Sequence, residues 1–283
     1  MGVAGLSLLA AACWGAADFT GGYLARSVNL LMVLLVVNAS IVAVSLLVLV
    51  GSGGPSLNSP VLLLSVAGGV CGVVGSGAFY QALALGKMGI VAPIPAVGVV
   101  IPVVAGWIGG DRFSALVSAG MVVAMVGIAL VSIESSEAES KAEVDRRRAR
   151  WAIGFALLAA VGLGTQYLLT RPGYVENVPM TVLVARTGPA LFLLLVVIAW
   201  RARVPPARQA ALAVGSGVWE FGALALVGLA TTLGSIGVVA VLSSLYPAVT
   251  AILATVILKE RLQPMQALGA TLTLAGVVLI AAG

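Results

Sequence analysis

Apolar residues fall in long runs broken only by short clusters of glycine, proline and charge. A bilayer core takes about 20 residues of helix to cross. The runs therefore predict ten membrane helices, over 3–25, 29–50, 61–85, 88–109, 113–133, 151–171, 178–200, 207–231, 233–258 and 262–282. The breaks have chemical causes. Gly51-Ser52-Gly53-Gly54-Pro55 closes the second run, Gly86-Lys87-Met88-Gly89 parts the third from the fourth, and Val204-Pro205-Pro206 follows the seventh. The one long polar interruption, 134–150, carries five acids and five bases and reads as a solvated connector.

The pattern repeats. Arg112 and Arg261, Gly120 and Gly269, and Gly127 and Gly276 are each 149 residues apart (261 − 112). The same offset links Gly5 to Gly154 and Gly15 to Gly164. A tandem duplicate of an odd-span unit must enter the membrane in opposite directions in its two copies, the inverted-repeat plan of many alternating-access carriers. The expected fold is an all-α membrane protein of ten transmembrane helices in two inverted five-helix repeats. Residues 1–133 form the first repeat, 134–150 the linker and 151–283 the second. The first run lacks a basic leader, and its glycines recur in the second repeat, so it is expected to stay as a span and not act as a signal peptide.

Composition agrees: 61% of residues are apolar, 9% are charged, and mean hydropathy is +1.16. Soluble domains carry about a quarter charged residues. The 35 glycines suit close approach between membrane helices. Histidine is absent, which excludes His-based acid–base chemistry, His-containing zinc sites and a Ser-His triad. No cofactor or metal is expected. Cys13 and Cys71 sit in apolar runs and read as small core residues. The net charge of +5 could suggest nucleic acid, but the basic residues stand at span ends and report orientation. Of 15 Lys and Arg, only Arg112 and Arg171 fall on loops of one side, and Arg186 lies within a span. The remainder puts the linker in the cytoplasm and both termini outside. The expected location is the cell membrane.

Three ionisable residues fall inside runs: Asp18, Arg186 and Glu220. Each costs about 2.5–3.5 kcal/mol on insertion scales, so such groups face a wet cavity or pair with one another. Glu220 lies mid-span between Trp219 and Phe221, with Gly215, Gly217 and Gly222 nearby. It could load and release a proton as access alternates, or form a structural ion pair. Asp18 is one helical turn past Trp14 on the same face. An acid beside an indole suits a cationic or amine-bearing solute, or a proton. Arg186 could hold a substrate anion or neutralise Glu220. Tyr80, Gln166 and Tyr246 complete the candidate cavity residues, and Pro93, Pro95 and Pro102 interrupt the fourth run. The stretch Gly68-Gly69-Val70-Cys71-Gly72-Val73-Val74-Gly75-Ser76-Gly77 lacks a P-loop Lys-Ser/Thr ending and reads as a helix seam.

Taken together these residues resemble the EamA-type members of the drug/metabolite transporter superfamily, over essentially the whole chain. The resemblance rests on Trp14-Gly15, on Arg186, on Ala-rich third and eighth spans, on Leu245-Tyr246-Pro247 followed by Lys259-Glu260-Arg261, and on the glycine-marked last span. It implies a five-plus-five inverted repeat around a central cavity and movement of a small metabolite without ATP. Many relatives are thought to keep both termini in the cytoplasm, against the charge count. The first repeat departs from the pattern, with Gly98 opposite Pro247, Asp111 where Glu is usual, and Val37-Asn38 where an Arg often stands.

The function expected from the sequence is secondary transport of a small polar or amphipathic metabolite by alternating access. Proton coupling and uncoupled exchange fit equally. The partners are a small-molecule solute and the lipid bilayer, not nucleic acid, and oligomeric state is not legible. The alternatives are a membrane scaffold or sensor with a vestigial cavity, and an intramembrane enzyme. An aspartyl pair is ruled out because Asp18 is the sole in-span Asp.

Overall fold

The computed structural model describes residues 2–51, 59–86, 91–92, 94–110, 114–131, 143–259 and 264–282. The repeat signatures at Asp111-Arg112 and Glu260-Arg261 lie outside them, as do Lys87, Pro93 and 134–142 of the connector. Among the described residues the chain is helical, with short turns and no strand. The helices are α1 (Val3–Ala25), α2 (Leu30–Gly51) and α3 (Ser59–Leu85). A 3-10 helix, Ile94–Val99, runs into α4 (Val100–Ile108). Then come α5 (Ala115–Val131), α6 (Glu143–Glu176), α7 (Val178–Ala199), α8 (Ala207–Leu233), α9 (Ile236–Ser243), α10 (Tyr246–Ile257) and α11 (Pro264–Ala282).

Among the described residues seven segments are long and apolar enough to cross a membrane by length and composition: α1, α2, α3, the part of α6 from Arg150, α7, α8, and α9 with α10 taken together. Their outward faces carry bare apolar side chains such as Leu47, Leu63, Leu195 and Ile198. In water such a surface would be costly. Against lipid it is the expected one.

Helix positions follow the apolar runs, with three departures. The first is α6, which starts at Glu143 and ends at Glu176, beyond 151–171 on both sides. Its 34 residues rise about 50 Å, well past the hydrocarbon thickness, so the exposed Arg147, Arg148 and Arg150 extend its start out of the apolar zone. It also runs through Pro172, which removes one backbone donor. The last turn holds because Tyr174 is buried and Gly173 packs against Thr181 and Ser65. The second is the ninth run, which is two helices. Pro247 has no N–H to give the Ser243 carbonyl, and the chain turns at Ser244-Leu245. The third is the fourth run, which takes the tighter 3-10 form over Ile94–Val99, around Pro95.

Two helix starts are capped alike. Asn29 Oδ1 accepts the Leu31 N–H at 2.9 Å, and Asn177 Oδ1 accepts the Met180 N–H at 2.9 Å. An Asn cap satisfies a donor the helix cannot and contributes about 1 kcal/mol. The two caps are 148 residues apart (177 − 29).

Packing has an internal regularity. α1 lies on α8, α9 and α10; α6 lies on α3, the 3-10 helix and α4. α2 packs on α8, and α7 on α3. α2 also meets α7, α4 meets α9, and α5 meets α11. Small residues set these distances. A side chain at Gly69 would overlap the Ala185 backbone, and one at Gly217 would overlap that of Val37. Gly68, Gly72 and Gly75 likewise seat α3 against α6 (Thr170, Gln166, Leu163), so the glycine run is a helix seam. The segment Ile236–Ile257 is innermost: 72% of its most apolar stretch is covered by protein, against 33–44% in the other six.

Candidate functional site

The broken helices meet α1, α3, α6, α7 and α8 around a central cavity, partly open, whose empty space with its mouth included is about 650 Å³. Its lining includes Trp14 and Asp18 of α1, Ser76 and Phe79 of α3, Pro95 and Gly98 of the 3-10 helix, and Leu163, Gly164, Gln166 and Tyr167 of α6. Arg186, Glu220, Ala240, Ser244 and Tyr246 close it. Where Pro95 and Pro247 break the regular ladder, backbone and small side chains open onto this space, as interrupted helices do where they border a cavity.

Arg186 and Glu220 form a buried ion pair. Arg186 Nη2 donates to Glu220 Oε1 at 2.7 Å, with side chains only 2% and 8% exposed. Helix α8 can bring Glu220 this deep because Gly217 lets it settle on α2. The Arg186 side chain is therefore turned inward to its partner instead of reaching toward the membrane surface. Burying two charges costs several kcal/mol each, which their attraction and hydrogen bond must offset.

Asp18 is different. It is 9% exposed, borders the cavity, and has no hydrogen-bond or ion-pair partner among the described residues. The carboxylate beside it is Glu220. The α1 backbone is held nearby by two cross-helix bonds: Ser216 Oγ donates to the Ala17 carbonyl at 3.0 Å, and Thr250 Oγ1 to the Gly15 carbonyl at 3.2 Å. The acid is thus fixed in place by its backbone and left open at its head.

Aromatic rings wall the same space. Trp14 meets Tyr167 edge-on, with centroids 5.5 Å apart at 67°, and meets Tyr246 at 6.3 Å and 71°. Phe79 meets Tyr246 at 6.2 Å and 70°. Tyr167 Oη and Ser243 Oγ share a hydrogen bond of 3.0 Å, tying α6 to the break after α9. The Tyr246 hydroxyl and the Gln166 Oε1 are buried without a hydrogen-bond partner. Such groups cost about 1–3 kcal/mol each.

Of the residues singled out from sequence, Trp14, Asp18, Gln166, Arg186, Glu220 and Tyr246 line this one cavity. Tyr80 does not. It is 1% exposed, packed on Gly21 of α1, with its hydroxyl beside Ser216 but outside hydrogen-bond geometry. It points between α1 and α3 because Gly21 leaves room there. Sequence reasoning chose Gln166 over its neighbour Tyr167, and it passed over Phe79 and Ser76. A signal for Tyr167 was present: it stands 149 residues after Asp18 (167 − 18), the offset that also links Gly15 to Gly164. Phe79 and Ser76 carried none. Among the described residues no cluster of His, Cys, Asp or Glu could hold a metal ion.

Residues 150–282 match the EamA-like transporter family. No curated protein matches the chain. A solved structure described as "Crystal structure of protein" is 18% identical, aligned over 99% of this chain and 98% of that one, with a TM-score of 0.73. At that identity the likeness shows a shared fold.

Proposed function

We propose that the chain is a secondary transporter that moves a small polar or amphipathic metabolite across the membrane by alternating access. Its ten spans would be two inverted five-helix repeats, with the 3-10 helix plus α4, α5 and α11 joining the seven longer segments. The observation that carries this reading is the central cavity, in which Asp18 stands unpaired beside the Arg186–Glu220 pair.

The packing supports the repeat. Renaming each helix by its counterpart five spans along turns α1 on α8 into α6 on α3, and α2 on α8 into α7 on α3. The contacts α2 with α7, α4 with α9, and α5 with α11 map onto themselves. Individual residues follow. Gly15 lies against the Tyr246 carbonyl and Gly164 against the Gly98 carbonyl, with partners offset by 149 (164 − 15) and 148 (246 − 98). With such a repeat the cavity would lie between the two halves, where rocking one against the other would expose it to each face in turn. The match of the second half to a transporter family points the same way.

The paired positions carry unlike chemistry. Trp14 and Asp18 of α1 correspond to Leu163 and Tyr167 of α6, and all four line the cavity. Symmetry would serve the motion, while asymmetry gives the solute one preferred seat. Within that division Asp18 is the acid free to take a solute or a proton, and Glu220 is engaged by Arg186.

The test is flux. Purified chain in proteoliposomes is screened by thermal stabilisation against a metabolite panel, since a ligand of the folded state raises apparent stability. Stabilising solutes are then followed as uptake with and without a pH gradient. Saturable uptake that Asp18→Asn abolishes is expected. Stabilising solutes that bind but never cross would contradict the reading.

A further inference from the structure

The ionisable groups around the cavity do not balance. Arg186 is the cation in its wall, and Glu220 already holds it at 2.7 Å. Asp18 is then one carboxylate in excess, nine-tenths buried, bordering the cavity and without an ion-pair partner among the described residues. An anionic solute would find the wall's cation engaged and a second carboxylate facing it. A neutral solute would leave that carboxylate without a counter-charge in a poorly solvated place.

The remaining wall has a matching character. Trp14, Tyr167 and Tyr246 are near-perpendicular to one another where they touch, so the rings form a corner and are not stacked face to face. Ring faces carry partial negative charge and attract ammonium groups, most strongly when water is excluded. Gln166, by contrast, turns its Oε1 to Gly72 of α3, in the helix seam.

From these two features we infer that the cavity takes an organic ammonium ion, with Asp18 as its counter-ion and Trp14, Tyr167 and Tyr246 as its aromatic wall. The inference deepens the transporter reading by naming its substrate class, and as a statement about binding it needs only the cavity. Protons compete for the same carboxylate. The charged and titratable groups facing it are Glu220 on α8, the Arg186 paired to it on α7, Tyr167 on α6, Tyr246 on α10 and Tyr80 on α3.

The experiment uses three probes of one shape and different charge: 2-phenylethylamine, 2-phenylethanol and phenylacetate. Each is titrated into the full chain in lipid nanodiscs, with affinity read by calorimetry. The amine is expected to bind saturably, the alcohol at least ten-fold more weakly, and phenylacetate not at all. Asp18→Asn is expected to weaken the amine at least ten-fold and to leave the alcohol unchanged, whereas Asp18→Glu retains the preference for the amine. Equal binding of amine and alcohol, preference for phenylacetate, or no binding of the amine overturns the inference, and these comparisons need only the wild-type chain should Asp18→Asn not fold. Flux separates the two claims. Amine binding with no movement of any solute would sink the transporter reading and leave the site, while flux confined to neutral or anionic solutes would do the reverse.

Discussion

Arg186 and Glu220 lie 34 residues apart on successive helices, and their side chains meet at 2.7 Å in the buried centre of the protein. The pair joins α7 to α8 at the cavity wall, so Glu220, the acid that stands out most in the sequence, is also tied into that wall.

Breaking that pair from one side should be worse than removing it. Arg186→Met leaves Glu220 buried without its partner, and such single truncations cost about 3–5 kcal/mol. The double variant Arg186→Met with Glu220→Gln removes both charges and should recover a large part of that loss. Thermal denaturation in detergent of both singles and the double gives the coupling. Additive losses would mean the pair contributes no mutual stabilisation.

Close helix approach depends on bare backbone at defined places. Gly69→Val and Gly217→Val each force a side chain into the facing backbone, at Ala185 and Val37, and should cost at least about 1–3 kcal/mol. Gly154 has open space around it. Gly154→Ala should be neutral or stabilising by up to about 1 kcal/mol, because alanine is the better helix former. Melting temperatures of the three variants check the contrast.

The bond between Tyr167 and Ser243 is the tie between α6 and the break from α9 to α10. Tyr167→Phe keeps the ring against Trp14 and removes the tie, so stability should fall by about 0.5–1.5 kcal/mol. Ser243→Ala should fall by a similar amount, and the two together by less than their sum. If α6 moves against this break during transport, the turnover rate should change more than solute affinity. A variant with altered affinity alone would place Tyr167 in the binding wall only.

How far the sequence carried depends on what each feature rests upon. Helix positions were legible because bilayer thickness sets the length of every apolar run, and proline or glycine marks the ends. The long start of α6 was not, since Glu143 to Arg150 is polar and its helicity is not an apolar signal. The cavity members Trp14 and Asp18 were legible because charge within an apolar run demands a reason. The inward turn of Tyr80 was hidden, because it is decided by Gly21 on another helix. The offset of 149 held the location of Tyr167, but only once the two halves are set side by side.

Alternating access is the central claim, and one accessibility measurement tests it most directly. With Cys13→Ala and Cys71→Ala removing the native thiols, Ser244→Cys places a single thiol in the cavity lining. A membrane-impermeant methanethiosulfonate reagent is then applied from each face of sealed proteoliposomes of known orientation. The account requires labelling from both faces, slowed from both by a bound solute. Labelling from one face alone, at a rate no solute alters, would mean a fixed pocket and no transport cycle.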